Sequence, residues 1–451
     1  MKVERTLSLS DNRKHLPHAF EVPEGTTRIH IEFDYNPPVS QGQPYRNQLS
    51  FSLFDPEGPR GVQYCINGKS ITVDVNQATP GTRPGIIQSG TWTVLVDAYR
   101  LLPPDPITYT LSVSLSSDAL TNTPTVWTQS TKPNKGIGWY RGDLHAHSVH
   151  SDASWDVPDL VRFARDHQLD FVTLTDHNTI TGLAQHDSLS DENLLTMGGM
   201  ELTTYYGHAL TLGTRQWMEW RTDDGDILTM PQAAQRVLDS GALFVIAHPM
   251  APGDPECSGC HWEYTDMRPG NSPAVEVWNG YWTDYNENSL QLYYSWLNEG
   301  HRLVATAGSD IHGQPPADEV GRGAANVVYA NELTESGIFE AIKQGHSYLS
   351  AGPELLVTAR SASGIEAMVG DVLPIEDITI SVKVNKADAG DVLRLIVDGS
   401  VRTIELITES GEFTWDLPTG TGHWFTVELR DAANDMWAVA NPIFIGIPEP
   451  H

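Results

Sequence analysis

The chain has 451 residues, and its 28 Lys+Arg against 58 Asp+Glu leave a formal net charge of −30. Such a surface repels nucleic-acid backbones and anionic membranes, which excludes general nucleic-acid or membrane binding as an expectation. An anionic small-molecule substrate stays open, because bound cations can reverse the field inside a pocket.

The length suits two or three domains, and 39% hydrophobic with 19% charged residues is the composition of a soluble globular protein. No run approaches the roughly 18 apolar residues of a membrane span. The opening MKVERTLSLSDNRKHLPHAF lacks the apolar centre of a signal peptide, so a cytoplasmic location is expected. Three cysteines, Cys65, Cys257 and Cys260, are too few for a disulfide framework.

Residues 1–125 carry β-branched and aromatic segments such as TTRIHIEFDY, SITVDV and GTWTVLVDAY, separated by Pro- and Gly-containing turns. This spacing predicts a small β-sandwich with no catalytic chemistry of its own. A polar Pro/Thr-rich stretch to Lys135 reads as a linker. From Gly136 the pattern changes: short apolar runs (FVTLTDH, ALFVIAHP, AVEVWNG, LVATAGSD) alternate with helical stretches (VPDLVRFARDHQ, MPQAAQRVLDSG, NSLQLYYSWLNEG, ESGIFEAIKQG), the last three stopping at or near Gly. Strand–helix alternation predicts an α/β fold with a parallel sheet, open or closed into a barrel. After residue 353 strand signals return, and a second β-sandwich is expected. The expected units are therefore 1–135, 136–352 and 353–451.

The chemistry-bearing residues stand at the C-terminal ends of the central strands, where α/β barrels place their sites. They are Asp143-Leu144-His145-Ala146-His147 with Asp152; Thr175-Asp176-His177-Asn178; Glu201 with His208; His248-Pro249; and Ser309-Asp310-Ile311-His312. Any one of these taken alone is more often a hydrogen-bonded structural residue than a ligand. Five successive strand ends offering His, Asp or Glu are not, since buried ionisable groups are costly unless paired or metal-bound. Imidazole with carboxylate suits Zn²⁺, Mn²⁺ or Fe²⁺.

The ordered set DLHAHS…D, TDHN, GME…H, AHP and GSDIH resembles the PHP (polymerase and histidinol phosphatase) superfamily over roughly residues 137–350. The flanking β regions, CSGCHW (257–262) and VEVWNG (275–280) resemble its carbaryl-hydrolase-like CehA/McbA subgroup. The resemblance implies a distorted (β/α)7 barrel holding two or three divalent ions. Carried over by position, the first metal takes His145, His147, Glu201 and Asp310; the second shares Glu201 and adds His208 and His248; the third takes Asp152, His177 and His312. Many relatives have His where this chain has Asp152, and a carboxylate there favours a harder ion.

The implied activity is hydrolysis by a metal-bridging hydroxide. Around it, Asp176 is a candidate to orient a ligand, His150 to act as general acid, and Asn178 and Asn279 to touch substrate. Arg141 and Arg322 are candidates to bind phosphate; each also reads as an ordinary surface or ion-pair residue. Trp278, Tyr281 and Trp282 read as pocket wall or as core. Cys257-x-x-Cys260 reads as a plain loop, as a redox pair or metal clip, or as a disulfide if the protein is secreted, though two thiols cannot complete a tetrahedral zinc site. A phosphoesterase for a small ester is the leading expectation. Hydrolysis of a carboxyl ester, amide or carbamate is the rival, and a binding protein with an inactive barrel is the alternative of another class. The sequence leaves the oligomeric state open.

Overall fold

Strict alternation folds the first 116 residues into two packed antiparallel sheets. In the strand Arg28–Asn36 the residues Ile29, Ile31, Phe33 and Tyr35 are buried while their neighbours face out, the two-residue period of a half-buried strand. One sheet runs Lys2–Leu7, Ile107–Ser116, Arg28–Asn36, Lys69–Asp74; the other runs Lys14–Val22, Gly90–Arg100, Gln48–Asp55, Gly58–Gln63. Their inner faces meet around Trp92, Phe33 and Phe51. The computed structural model describes residues 1–65, 67–130, 133–222, 227–315, 323–408 and 410–446.

All four expected helices form: α1 (Val157–Asp166), α3 (Met230–Asp239), α4 (Asp284–Asn298) and α5 (Glu335–Lys343), joined by a short α2 (Leu183–Asp187). A capping box of Thr229 and Gln232 opens α3. Gly241, Gly300 and Gly345 follow α3, α4 and α5 with φ of 87°, 95° and 77°, the left-handed turn that ends a helix cheaply only at glycine. No helix among the described residues is long and apolar enough to cross a membrane.

The central strands differ from expectation. The fold is mixed α/β and strand-rich, and its pairing does not show one closed (β/α)7 ladder. Instead the strands divide into two sheets. The first contains Leu195–Gly198, Phe171–Leu174 and Gly138–Asp143, with Ala325–Ala330 and Ser347–Ser350 continuing antiparallel. The second runs Glu201–Thr203, His208–Leu212, Leu243–Ile246, Ala274–Asn279, Val304–Gly308. The hairpin from Glu201 to Leu212 makes two of its four pairings antiparallel; a two-stranded reversal over so few residues leaves no room for a crossover helix.

One sheet of the C-terminal region is continuous with the central sheet. Ser347–Ser350 pairs with Met436–Ala440, so the central sheet runs on through Trp424–Arg430 and Val392–Val397 to Ser400–Leu406. This pairing covers what would otherwise be an open strand edge. A four-stranded sheet containing Glu354–Ser361 and Ile378–Asn385 packs over that extension.

Where the two central sheets lack a continuous ladder, two asparagines substitute for it. Asn326, buried, donates to Ala307 O (2.6 Å) and accepts from Ala307 N (3.0 Å). Asn441, buried, accepts from Ala305 N (2.8 Å) and donates to Ala305 O (3.1 Å) and to Ser347 Oγ (2.9 Å). Each side-chain amide copies the donor–acceptor pair of a strand neighbour. Asn441→Ala strands several buried groups at once, and about 2–4 kcal/mol of stability should be lost; urea unfolding checks this, and a loss under about 1 kcal/mol would refute the stitching role.

Candidate metal centre

The two sheets touch through two isolated parallel bridges, Ala146 with Ile311 and His177 with Glu201. Ala146 lies between His145 and His147, and Ile311 between Asp310 and His312, so the junction of the sheets brings together ligand candidates from distant sequence. All nine converge there.

Glu201 is the hub. Its Oε2 lies 3.5 Å from Nε2 of both His145 and His147 and 2.7 Å from His177 Nδ1. Its Oε1 lies 3.0 Å from His208 Nδ1 and 3.3 Å from His248 Nε2. Asp310 Oδ1 is 2.9 Å from His147 Nε2 and 3.4 Å from His145 Nε2. Asp152 Oδ1 is 3.3 Å from His312 Nε2 and 3.5 Å from His177 Nε2. Four groups fall within metal-chelating reach: His145–His147–Glu201, His177–Glu201–His208, His147–Asp152–His177–His312 and His145–His248–Glu276. The first and third contain the ligands expected for the first and third metals, Asp310 standing beside the first; the second metal's expected pair, His208 and His248, is split between the other two groups.

Whether a metal fits can be judged from the protein atoms alone. His145 Nε2, both nitrogens of His147, Glu201 Oε2, His208 Nε2, His248 Nδ1 and Asp310 Oδ1 are buried without a hydrogen-bond partner. Buried polar atoms are normally satisfied, so this concentration of free donor atoms of the N/O type that divalent transition ions accept fits a metal cluster.

The electrostatics follow from the crowding. Burial alone would raise the Glu201 carboxyl, but His177, His145 and His208 outweigh it and hold its ionisation well below the usual carboxylate range. Asp310 is lowered likewise, burial being overcome by His145 and His147. Burial lowers every imidazole here; carboxylates override it at His145, His177 and His248, and at His312 they raise the ring to about 10. His147, facing His312 and His177 as well as being buried, falls to about 4.

Two backbone features build the geometry. Asp310 (φ 49°) and His248 (φ 27°) occupy the left-handed region, a strain that persists where the surroundings enforce it. Gly308 leaves space for the ligands: a Cβ there would lie 2.3 Å from His145 Cβ and 2.4 Å from Glu276 Oε1.

Glu276 was missed as a functional residue. It is fully buried, its Oε1 receives His145 Nδ1 at 3.0 Å, and its Oε2 accepts from His248 N (3.2 Å) and Asn279 Nδ2 (3.0 Å). The signals in the sequence were a charge inside the apolar run AVEVW and its place in the VEVWNG segment that carries the subgroup resemblance. Its carboxylate holds the His145 proton on Nδ1 and so presents Nε2 to the cluster.

The remaining candidates lie as follows. Asp176 accepts from Ser148 N, Ser148 Oγ and Ser151 Oγ, each at 2.7 Å, and so anchors the turn between His147 and Asp152. The His150 ring faces Gly81 N (3.3 Å) and Thr181 Oγ1 (2.9 Å), away from the nine. Arg141 lines a separate cavity, and Arg322 lies outside the described residues. Asn178 donates to Thr203 O (2.8 Å) and accepts from Thr203 N (2.8 Å), bracing the loop; Asn279 also reaches Asp310 Oδ2 at 3.2 Å. Trp278 is fully buried core, Trp282 packs edge-on against it, and Tyr281 is exposed. Cys257 and Cys260 form a disulfide rather than a plain loop. Gly259 between them abuts Thr204 O, so the bridged loop packs beside the His208 hairpin.

The N-terminal sandwich, expected to carry no catalytic chemistry of its own, reaches the cluster. Tyr64 lies over His177 with ring centroids 4.3 Å apart, and Tyr99 donates to Thr203 O at 2.9 Å.

No protein-family model and no curated protein matches the chain. Among solved structures it is similar to a two-domain protein of Bacteroides vulgatus containing a predicted PHP-like metal-dependent phosphoesterase, at 18% identity over 72% of this chain and 100% of that one, TM-score 0.39. It is also similar to an amidohydrolase from Chromobacterium violaceum solved with sulfate and no metal, at 16% identity over 40% of this chain and 89% of that one, TM-score 0.29.

Glu276→Gln should weaken Mn²⁺ or Zn²⁺ binding about tenfold or more while the circular dichroism stays unchanged; equal affinity in a metal titration would remove Glu276 from the site. In the metal-free chain His312, raised to about 10, keeps its proton at neutral pH, and bound metal must displace it. Loading at pH 7.5 should therefore release protons, and affinity should rise with pH towards about 10, the His312 value. Calorimetry in two buffers of different ionisation enthalpy reads this, and proton uptake would contradict it.

Proposed function

We propose that this chain is a metal-dependent hydrolase of the PHP type, built as three units (1–135, 136–352, 353–451) around a distorted barrel, and that it cleaves a small phosphate ester. The observation that supports this best is the convergence of nine His, Asp and Glu side chains, six of which (His145, His147, Glu201, His208, His248 and Asp310) carry buried donor atoms without a protein partner. His145, His147, Glu201 and Asp310 would hold one ion, His208 and His248 with Glu201 a second, and Asp152, His177 and His312 a third. When bound, Mn²⁺, Zn²⁺ or Fe²⁺ lowers the pKa of water and polarises the scissile group.

The chain's own residues do the rest. Glu276 fixes the tautomer of His145, Asp176 holds the turn that carries Asp152, and Asn279 orients Asp310 through its Oδ2. Access follows exposure: side chains of His145, His147 and Glu201 are at most 1% exposed, whereas those of Asp152, Asp310 and His312 are 24%, 24% and 37% exposed. Substrate therefore approaches from the Asp152–His312 side. Tyr64 closes the flank over His177 and limits water there.

A second reading, hydrolysis of a carboxyl ester, amide or carbamate, is favoured by one observation. Among the described residues no Lys or Arg forms an ion pair or hydrogen bond with any of the nine, so a basic clamp for phosphate oxygens is missing from the cluster.

Initial rates of the Mn²⁺- and Zn²⁺-loaded protein on aryl phosphate mono- and diesters, an aryl ester and an aryl carbamate separate the two. Phosphate turnover at least tenfold faster, and lost in His145→Ala/His147→Ala, is the expected result. Faster carbamate or ester turnover would overturn the phosphoesterase reading and retain the metal site; no turnover on any of them with metal bound would overturn both.

A further inference from the structure

Arg141 belongs to a different feature. A cavity of about 310 Å³ lies between α1 and the segment from Gly323 to Ala325, with Phe163, Leu169, Ile311 and Ala325 among its apolar walls. This is the size of a small-molecule pocket for a mono- or bicyclic body. None of the nine metal-ligand candidates lines it. Asp143 and Ser309, whose side chains are hydrogen-bonded to each other, line it beside the Asp310 turn.

Arg141 is the cavity's one Lys or Arg among the described residues. It is partly buried, and no side-chain hydrogen bond or ion pair engages its guanidinium among the described residues, although Tyr348, Asp143 and Asp170 lie near enough to interact with it electrostatically. Asp143 already accepts from His145 N (3.1 Å), Ser309 N (2.9 Å) and the Ser309 hydroxyl. Asp170 accepts the Arg141 backbone N–H (2.9 Å) and pairs with Lys135. His167, at the rim, is bonded through Nδ1 to Phe163 O (2.9 Å). A guanidinium drawn out of water without a bonded counter-ion is costly, and its planar fork matches the two oxygens of a carboxylate or phosphate. In a chain of net charge −30, one unpaired cation among apolar walls is a selective feature.

We infer that this cavity is a binding site, distinct from the metal centre, for a small amphiphilic anion: an aryl or alkyl body carrying a carboxylate or phosphate, with the apolar part against Phe163, Leu169 and Ile311 and the anion on Arg141. Because Asp143 and Ser309 form its inner wall and also hold the backbone of His145 and the start of the Asp310 turn, occupancy bears on the ligand geometry of the cluster from behind.

The test is calorimetric titration of the metal-loaded full chain with 1-naphthylacetate, 1-naphthylmethylphosphonate and the neutral 1-naphthylacetamide. One equivalent of either anion should bind at least tenfold more tightly than the amide, and the tighter of the two identifies the headgroup. Arg141→Gln should bring the anions to the level of the amide, and Leu169→Trp, which fills the cavity, should weaken all three. His145→Ala/His147→Ala should leave binding intact, which separates this site from the hydrolase reading: that variant abolishes turnover without touching the cavity. Anion affinities unchanged in both Arg141→Gln and Leu169→Trp, or binding lost in the His145→Ala/His147→Ala variant, or no binding of either anion, would overturn the inference.

Discussion

One buried carboxylate sets the terms for the rest of the molecule. Glu201 is 1% exposed and meets five imidazoles within 3.5 Å. A charge at that depth persists only if its partners are supplied from all sides. Those partners come from four separate stretches of chain, so the fold must deliver them to one point. The same crowding leaves nitrogens and oxygens without mutual hydrogen bonds, and a cluster in that state is completed by cations. Burial, charge and function are here one constraint.

The split of the central strands into two sheets is how the fold meets it. A uniform ladder pairs neighbouring strands at every residue and keeps their ends in register. Here, among the described residues, the sheets share two isolated backbone bridges, Ala146–Ile311 and His177–Glu201, and both fall at or beside ligand positions. Lower down, Asn326 and Asn441 close the seam with side-chain amides. The backbone thereby gains the freedom to turn His248 and Asp310 into left-handed conformations, and the cost is met by packing from the flanking β regions. Tyr64 and Tyr99 from the N-terminal sheets brace the His177 loop, and the C-terminal strands extend the central sheet through Ser347–Ser350.

Much of the site was legible because its residues are chemically unusual for their context. A His or Asp ending an apolar run, as in FVTLTDH or LVATAGSD, conflicts with core packing and draws attention by that conflict. The four longer helices were legible from their periodicity and terminal glycines. Glu276 was not, because a single carboxylate inside AVEVW carries no spacing signal. The placement of Arg141 was not either: alternation puts it on one side of its strand with Asp143, but which side faces the cluster depends on how the chain bends after Asp143.

The amino-acid sequence by itself determined the donor set, the strand and helix periods that carry it, and the strongly acidic net charge of −30. These are local properties, written in residue type and in periods of two and 3.6. Only the tertiary structure decided which ligands share an ion's reach, that Glu276 backs His145, that Asn326 and Asn441 replace a ladder, that Cys257 bonds Cys260, and that Arg141 faces a cavity of its own. Each of those depends on contacts between segments far apart in the chain, and such contacts are set by how sheets close and pack rather than by any short stretch of residues.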